Sequence, residues 1–288
     1  MAEEYRDQRA SRLFSGGGVN RRGPGMLDLL LCTFLAPQLL GGFALPGACE
    51  LLKTGLALCH HQRLTSVYYL SPEPVYLGTF SNLDAAAYWN GTLALHFKGE
   101  DYVKVGDLEL PLPGGDVCFM DFEGGVLLVV GRSWAVAYNV SSLELEWSAG
   151  GVSCPADLSP DGRRAAVYSK DLGGVLIIDI KKKVAEGVVK VCSPKDVSLS
   201  ERGYLVTSCS SSIFNGKKLR FGGYAGLAWE AALLLNKSCK GVMLVTADNK
   251  DYCFDLGFTP DGAALVGGAL VVNKGGAFIL LKPYLPSK

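Results

Sequence analysis

One string of residues recurs in three places, and it constrains the fold more than any other feature of the chain. Pro155-Ala-Asp-Leu-Ser-Pro-Asp-Gly162 aligns with Asp196-Val-Ser-Leu-Ser-Glu-Arg-Gly203 and with Asp255-Leu-Gly-Phe-Thr-Pro-Asp-Gly262. In each copy an apolar/polar alternation ends in a turn closed by glycine, and a new apolar strand follows at Ala165–Val167, Tyr204–Val206 or Ala263–Val266. Proline presets φ for such a turn and glycine supplies a positive φ. A degenerate relative, 116–125, precedes the apolar run Val126–Val130. Around the first copy, 154–191 reads as four short strands. Among them Val175–Ile180 is a β-branched run suited to burial on both faces. A lone four-stranded meander cannot bury both of its faces, so it requires copies of itself alongside.

With the turns as phase markers, units fall near 83–115, 116–154, 155–191, 192–223, 224–252 and 253–288, a spacing of roughly 30 to 40 residues. Asn90-Gly91, Asn215-Gly216 and Asn273-Lys-Gly-Gly276 mark hairpins between strands, and residues 57–82 supply one further sheet. Ala225–Leu235 fits a helix by composition, but Gly222, Gly223 and Gly226 argue for strands there. Glycine, at 36 of 288 residues, exceeds the usual share of about 7%, which favours tight turns over long helices. The expectation is an all-β chain: a β-propeller of about seven, alternatively six, four-stranded blades over 57–288.

The SPDG/TPDG turn after an alternating strand resembles the WD40-like and YncE-like propellers of bacteria and archaea. The likeness departs from true WD40 repeats, because no Gly-His pair precedes the blades and no Trp-Asp dipeptide ends them. It therefore implies a fold and no particular activity. What it suggests is a non-enzymatic scaffold presenting loops to a protein or ribonucleoprotein partner. Only three glutamines occur, a thermophile tendency; nine cysteines oppose that reading unless some are paired, as in intracellular proteins of hyperthermophiles.

Two segments precede the repeats. Residues 1–25 read as a flexible arm, with Arg6, Arg9, Arg12, Arg21 and Arg22 set against Glu3, Glu4 and Asp7. Such an arm either touches nucleic acid or acidic protein or is simply a solvated tail. Residues 26–56 are an apolar segment, within which Leu29–Ala48 carries no charge and has the length of a bilayer span. Pro37, Gly41, Gly42 and Pro46 oppose a spanning helix, so the segment is read as packed on the protein's own core or membrane-associated. Either it or the last strands near Phe278–Leu281 is expected to close the ring. Lys+Arg and Asp+Glu both number 28, so no global field steers the protein to nucleic acid or anionic membrane. A cytoplasmic location is favoured, with membrane anchoring or export as the alternative.

For chemistry, Asp116, Asp157, Asp196 and Asp255 fall on or entering the strands expected to line the channel, where a ring of carboxylates would bind a cation or basic peptide. The simpler reading is that each caps a turn through its own backbone, and Asp157 is out of phase with Asp196 and Asp255. Cys118, Cys154, Cys192 and Cys253 lie near the same strands. They either pair between blades, hold a soft metal, or merely supply the small side chains a crowded axis requires, which is the favoured account. Cys49, Cys59, His60, His61 and His96 match no metal-ligand template, so no metal is assigned. No nucleophile elbow, zinc-protease motif or phosphate loop is present, and neither a cofactor nor a small-molecule ligand is expected. The enzymatic alternative is a hydrolase or lyase built on the four aspartates.

Overall fold

In the computed structural model the described residues are 33–282, apart from 35–37, 72, 202, 209–211, 220–223, 229–230, 237–239, 247–250 and 267–268. The arginines of the predicted arm, Arg6, Arg9, Arg12, Arg21 and Arg22, lie outside them. The described strands form seven antiparallel sheets, six of four strands and one that gains a fifth. Blade 1 contains Ala48–Leu51, Leu56–His61, Leu64–Ser71 and Glu73–Ser81. Blade 2 contains Leu83–Trp89, Thr92–Phe97, Tyr102–Val105 and Leu108–Pro111. Blade 3 is built of Val117–Glu123, Val126–Gly131, Trp134–Asn139 and Glu144–Gly150, and blade 4 of Val152–Leu158, Arg164–Ser169, Gly174–Asp179 and Val184–Lys190. Blade 5 follows with Asp196–Leu199, Tyr204–Thr207, Ser212–Phe214 and Lys217–Leu219. Blade 6 has Tyr224–Ala228, Ala231–Asn236, Gly241–Thr246 and Asp251–Asp255, with Thr33–Phe34 added in parallel at its outer edge. The 225–235 stretch is thus two strands.

The first strand of each blade contacts the first strand of the next, or for blade 2 the third strand of blade 1, all the way round. Blade 7 closes the ring by joining both ends of the described chain. Gly262–Val266, Ala269–Lys274 and Ala277–Lys282 come from one end, and the outermost strand, Gln38–Ala44, from the other. Phe43 pairs directly with Phe278, their rings stacked at 5.3 Å. The charge-free run therefore supplies a closing strand, and the repeats start at Ala48 rather than at 57. Among the described residues no helix is long and apolar enough to cross a membrane.

The core lies between the blades, which explains why single strands read as unbroken apolar runs. Along Val126–Gly131 every residue is buried. Its alternate side chains enter two different cores: Leu127 and Val129 pack toward blade 2, Val126, Leu128 and Val130 toward blade 4. The same division sends Ile178 toward blade 3 and Val175 and Ile177 toward blade 5. A strand buried on both faces needs no polar side, so the two-residue period is hidden in its hydrophobicity.

The SPDG turn of blade 4 has a packing reason as well as a conformational one. Gly162 has φ +68°, and a Cβ there would lie 2.4 Å from the Glu123 carbonyl oxygen of blade 3. Gly124, opposite, would place its Cβ 2.2 Å from the Asp161 carbonyl. The two turns nest, and only glycine allows the approach. Gly162→Ala is expected to destabilise the protein by about 2–3 kcal/mol. Gly173→Ala, at φ +60° with open space around it, should cost only about 1 kcal/mol. Urea unfolding of the two variants checks the difference; equal losses would remove the nesting from the account.

The third copy of the string is out of phase. SPDG joins the first and second strands of blade 4, and the Glu201–Gly203 turn does so in blade 5. TPDG instead connects the last strand of blade 6 to the first of blade 7.

Candidate functional site in the central channel

The first strands of blades 1 to 5 surround a cavity of about 670 Å³, entered by Lys53, Asp84, Asp121, Asp157 and Asp196. Lys53 sits in the turn after the first strand of blade 1 and reaches blade 5. There its Nζ lies 2.5 Å from Asp196 Oδ1 and also donates to the Val197 carbonyl. The pair ties two blades that are not neighbours in the ring. Asp196 Oδ1 further accepts the Val197 N–H at 2.8 Å, while its Oδ2 is buried with no hydrogen-bond partner among the described residues.

Two further carboxyl groups are buried beside this pair. Asp157, only 6% exposed, accepts the Leu199 N–H of blade 5 at 2.6 Å. Burial pushes its carboxyl up to about 7, with Asp196 adding to the rise while the Lys53 ammonium and the Leu199 N–H oppose it. Asp121, 3% exposed, accepts the Phe122 N–H at 2.8 Å. Its carboxyl is raised well above the ordinary range, first by burial and then by Asp157 and Glu123. Glu123 also rises to about 7, again through burial and then through Asp157. One lysine thus faces carboxyl groups from three blades in a poorly solvated space, so some of these acids hold protons at neutral pH.

Of the four aspartates expected at the channel, the fold brings Asp157 and Asp196 together and excludes the other two. Asp116 precedes the first strand of blade 3 with its side chain 73% exposed, 3.7 Å from Arg132. Asp255 ends the fourth strand of blade 6, where its Oδ1 accepts the Gly257 N–H at 2.8 Å, the turn cap that the simpler reading predicts. Asp121, Glu123 and Lys53 escaped sequence reasoning. The first two lie in the degenerate copy of the repeat, and Lys53 lies ahead of the predicted start of the propeller at 57.

The cysteines do more than fill space. Cys118 and Cys154 form a disulfide between the first strands of blades 3 and 4, and Cys49 and Cys59 form another inside blade 1. Cys253 is also disulfide-bonded, whereas Cys192 is an exposed thiol. His60 and His61 are exposed on their strand, with His60 Nδ1 3.1 Å from Thr65 Oγ1. His96 is fully buried in blade 2, where its Nε2 contacts the Glu100 carbonyl at 3.0 Å and its Nδ1 lies 3.2 Å from Asp84. His60 and His61 are thus consecutive on one strand of blade 1, whereas His96 lies in blade 2.

No protein-family model matches the sequence, and no curated protein matches it. The fold is nevertheless shared. A chain in the crystal structure of a mitotic checkpoint complex superposes with a TM-score of 0.63 at 12% identity, covering 94% of this chain and 99% of that one. The Pan2 WD40 domain of Neurospora crassa superposes with a TM-score of 0.57 at 11% identity, covering 86% and 96%. At such identities the likeness establishes a WD40-like propeller and nothing of activity.

Proposed function

We propose that this WD40-like propeller is a non-enzymatic scaffold that holds a protein partner. The observation that carries the reading is the outer edge of the blades. Leu39 and Leu40 on blade 7, Val75 and Tyr76 on blade 1, Leu145 on blade 3 and Val184 on blade 4 are all exposed, between 48% and 57%. Each lies on the outermost strand of a sheet whose inner strands are locked by two cores. Rigid apolar edges of this kind suit docking by another protein. The similar chain in the mitotic checkpoint complex is part of an assembly. Membership of a larger protein or ribonucleoprotein complex is the corresponding finer proposal here, with the arm of residues 1–25 as an auxiliary contact to nucleic acid.

A second reading is favoured by the channel. Asp157, near 7 and lining the cavity, has the poise of an acid–base group, which is what a hydrolase or lyase at the channel would need. The disulfides fit an exported protein or the cytoplasm of a hyperthermophile.

Purification of the native protein from its own cells, with soluble and membrane fractions kept apart, tests the scaffold. A stoichiometric protein partner, lost when Val75 and Tyr76 are both changed to Asp, is the expected result. A lone protein in either fraction would overturn it and leave the channel carboxyls as the better explanation.

A further inference from the structure

Both half-cystines of the inter-blade disulfide sit where the channel strands depart from regular pairing. In blade 3 the ladder passes from Val117–Gly131 to Phe119–Val130 and skips Cys118. In blade 4 it passes from Ser153–Tyr168 to Ala156–Val167 and skips Cys154 and Pro155. Such irregularities turn a side chain out of its row, here toward the channel, and leave the flanking ladder intact when that side chain changes. Cys118 is exposed, Cys154 is half-buried, and both line the 670 Å³ cavity. The Cys49–Cys59 bridge is the opposite case: its two residues are direct cross-strand partners, and Cys59 is wholly buried.

We propose that Cys118–Cys154 is a thiol-exchange site, opened in the folded ring by a small thiol that enters the channel. The attacking thiolate forms a bond to Sγ of Cys118 while the Sγ–Sγ bond breaks, and Cys154 leaves as a thiolate that takes a proton from water. A second thiolate attacks the small-molecule sulfur of the mixed disulfide and releases Cys118 as a thiolate, which is protonated in turn. Two small thiols become one small disulfide, and their two electrons reduce the protein bridge. The seam between blades 3 and 4 keeps its core of Val130, Val152, Leu158 and Val167, so the reduced ring stays closed. Reduction loosens the channel wall at this seam.

The cavity also selects the thiol. Above about pH 8, where Asp157 has released its proton, Glu50, Asp84, Asp157 and Asp196 line it against Lys53 and Lys195, four acids to two bases. A thiol carrying an ammonium group is drawn in, and one carrying a carboxylate is repelled.

The test uses the full-length protein, its free thiols first blocked with N-ethylmaleimide. It is treated under native conditions at about pH 8.5, where Asp157 is ionised, with cysteamine or with 3-mercaptopropionate, and the modified cysteines are mapped by mass spectrometry over time. The expected result is modification at Cys118 on the order of a hundredfold faster than at Cys49 or Cys59. Cysteamine should act about tenfold faster than the anionic thiol at equal thiolate concentration. The Cys49–Cys59 bridge reports that the ring is folded throughout. If Cys118 is modified only in denaturant, or together with Cys59, the bridge is purely structural and the proposal fails. Equal rates for the two thiols would overturn the selection by the cavity.

Discussion

Changing Phe278 to alanine is expected to destabilise the protein by about 4 kcal/mol. Phe278 is 1% exposed, belongs to the core between blades 7 and 1, and stacks on Phe43 across the pairing that joins the two ends of the described chain. The substitution removes a buried aromatic ring and leaves a cavity, and it does so at the closure of the ring. Elsewhere consecutive blades are linked by short connections, but blade 7 depends on strand pairing between distant segments. Chemical unfolding should therefore show the loss, and hydrogen exchange should show 38–44 and 277–282 losing protection first. Phe43→Ala, at a half-buried site, should cost less, about 2 kcal/mol, with a double variant less destabilised than the sum because the two rings share one contact. A loss spread evenly over all seven blades would mean that the closure strand carries no special share of the stability.

The second large effect is with pH. Asp157 and Glu123 both lie near 7 in the folded chain, above the ordinary carboxyl range, so the folded state binds protons that the unfolded state has released. The stability this supplies is fully present below about pH 4 and is lost as pH rises through about 7. Asp179 and Asp261 oppose it at the acid end. Asp179 is lowered by the Lys182 N–H and by Arg163, and Asp261 by Lys274 and the Gly275 N–H. Their contribution disappears below about pH 4. Stability should therefore fall between pH 5 and pH 8, and Asp157 alone should make the protein about 2–3 kcal/mol more stable at pH 5 than at pH 8. Asp157→Asn keeps an acceptor for the Leu199 N–H and removes the buried charge. It should stabilise the protein by about 2 kcal/mol at pH 8 and flatten the profile. Thermal unfolding between pH 4 and 9 checks both. A flat wild-type profile would sink the assignment, and so would an Asn variant that keeps the full slope.

Much of this architecture was legible in the residues because the repeat is written in local chemistry. Glycine-closed turns and runs such as Val126–Val130 are dictated by φ preferences and by burial on two faces, and both act over a few residues. The same locality misled at Asp255: the Thr259–Gly262 turn looks like Ser159–Gly162, but a turn sequence carries no record of which two strands it joins. Leu29–Ala48 shows the limit from the other side. Its lack of charge points to packing or a membrane, yet Gln38–Ala44 is an outer strand with Leu39 and Leu40 exposed, and the strand it pairs with, Ala277–Lys282, lies more than two hundred residues away.

Short strands in repeated units that must stack on one another follow from the order of residue types along the chain. Which residues meet at the axis follows from the closed ring: Lys53 with Asp196, Asp157 with the Leu199 N–H, Cys118 with Cys154. These contacts join different blades, and their geometry follows from ring closure and strand register, which no local pattern of residue types encodes.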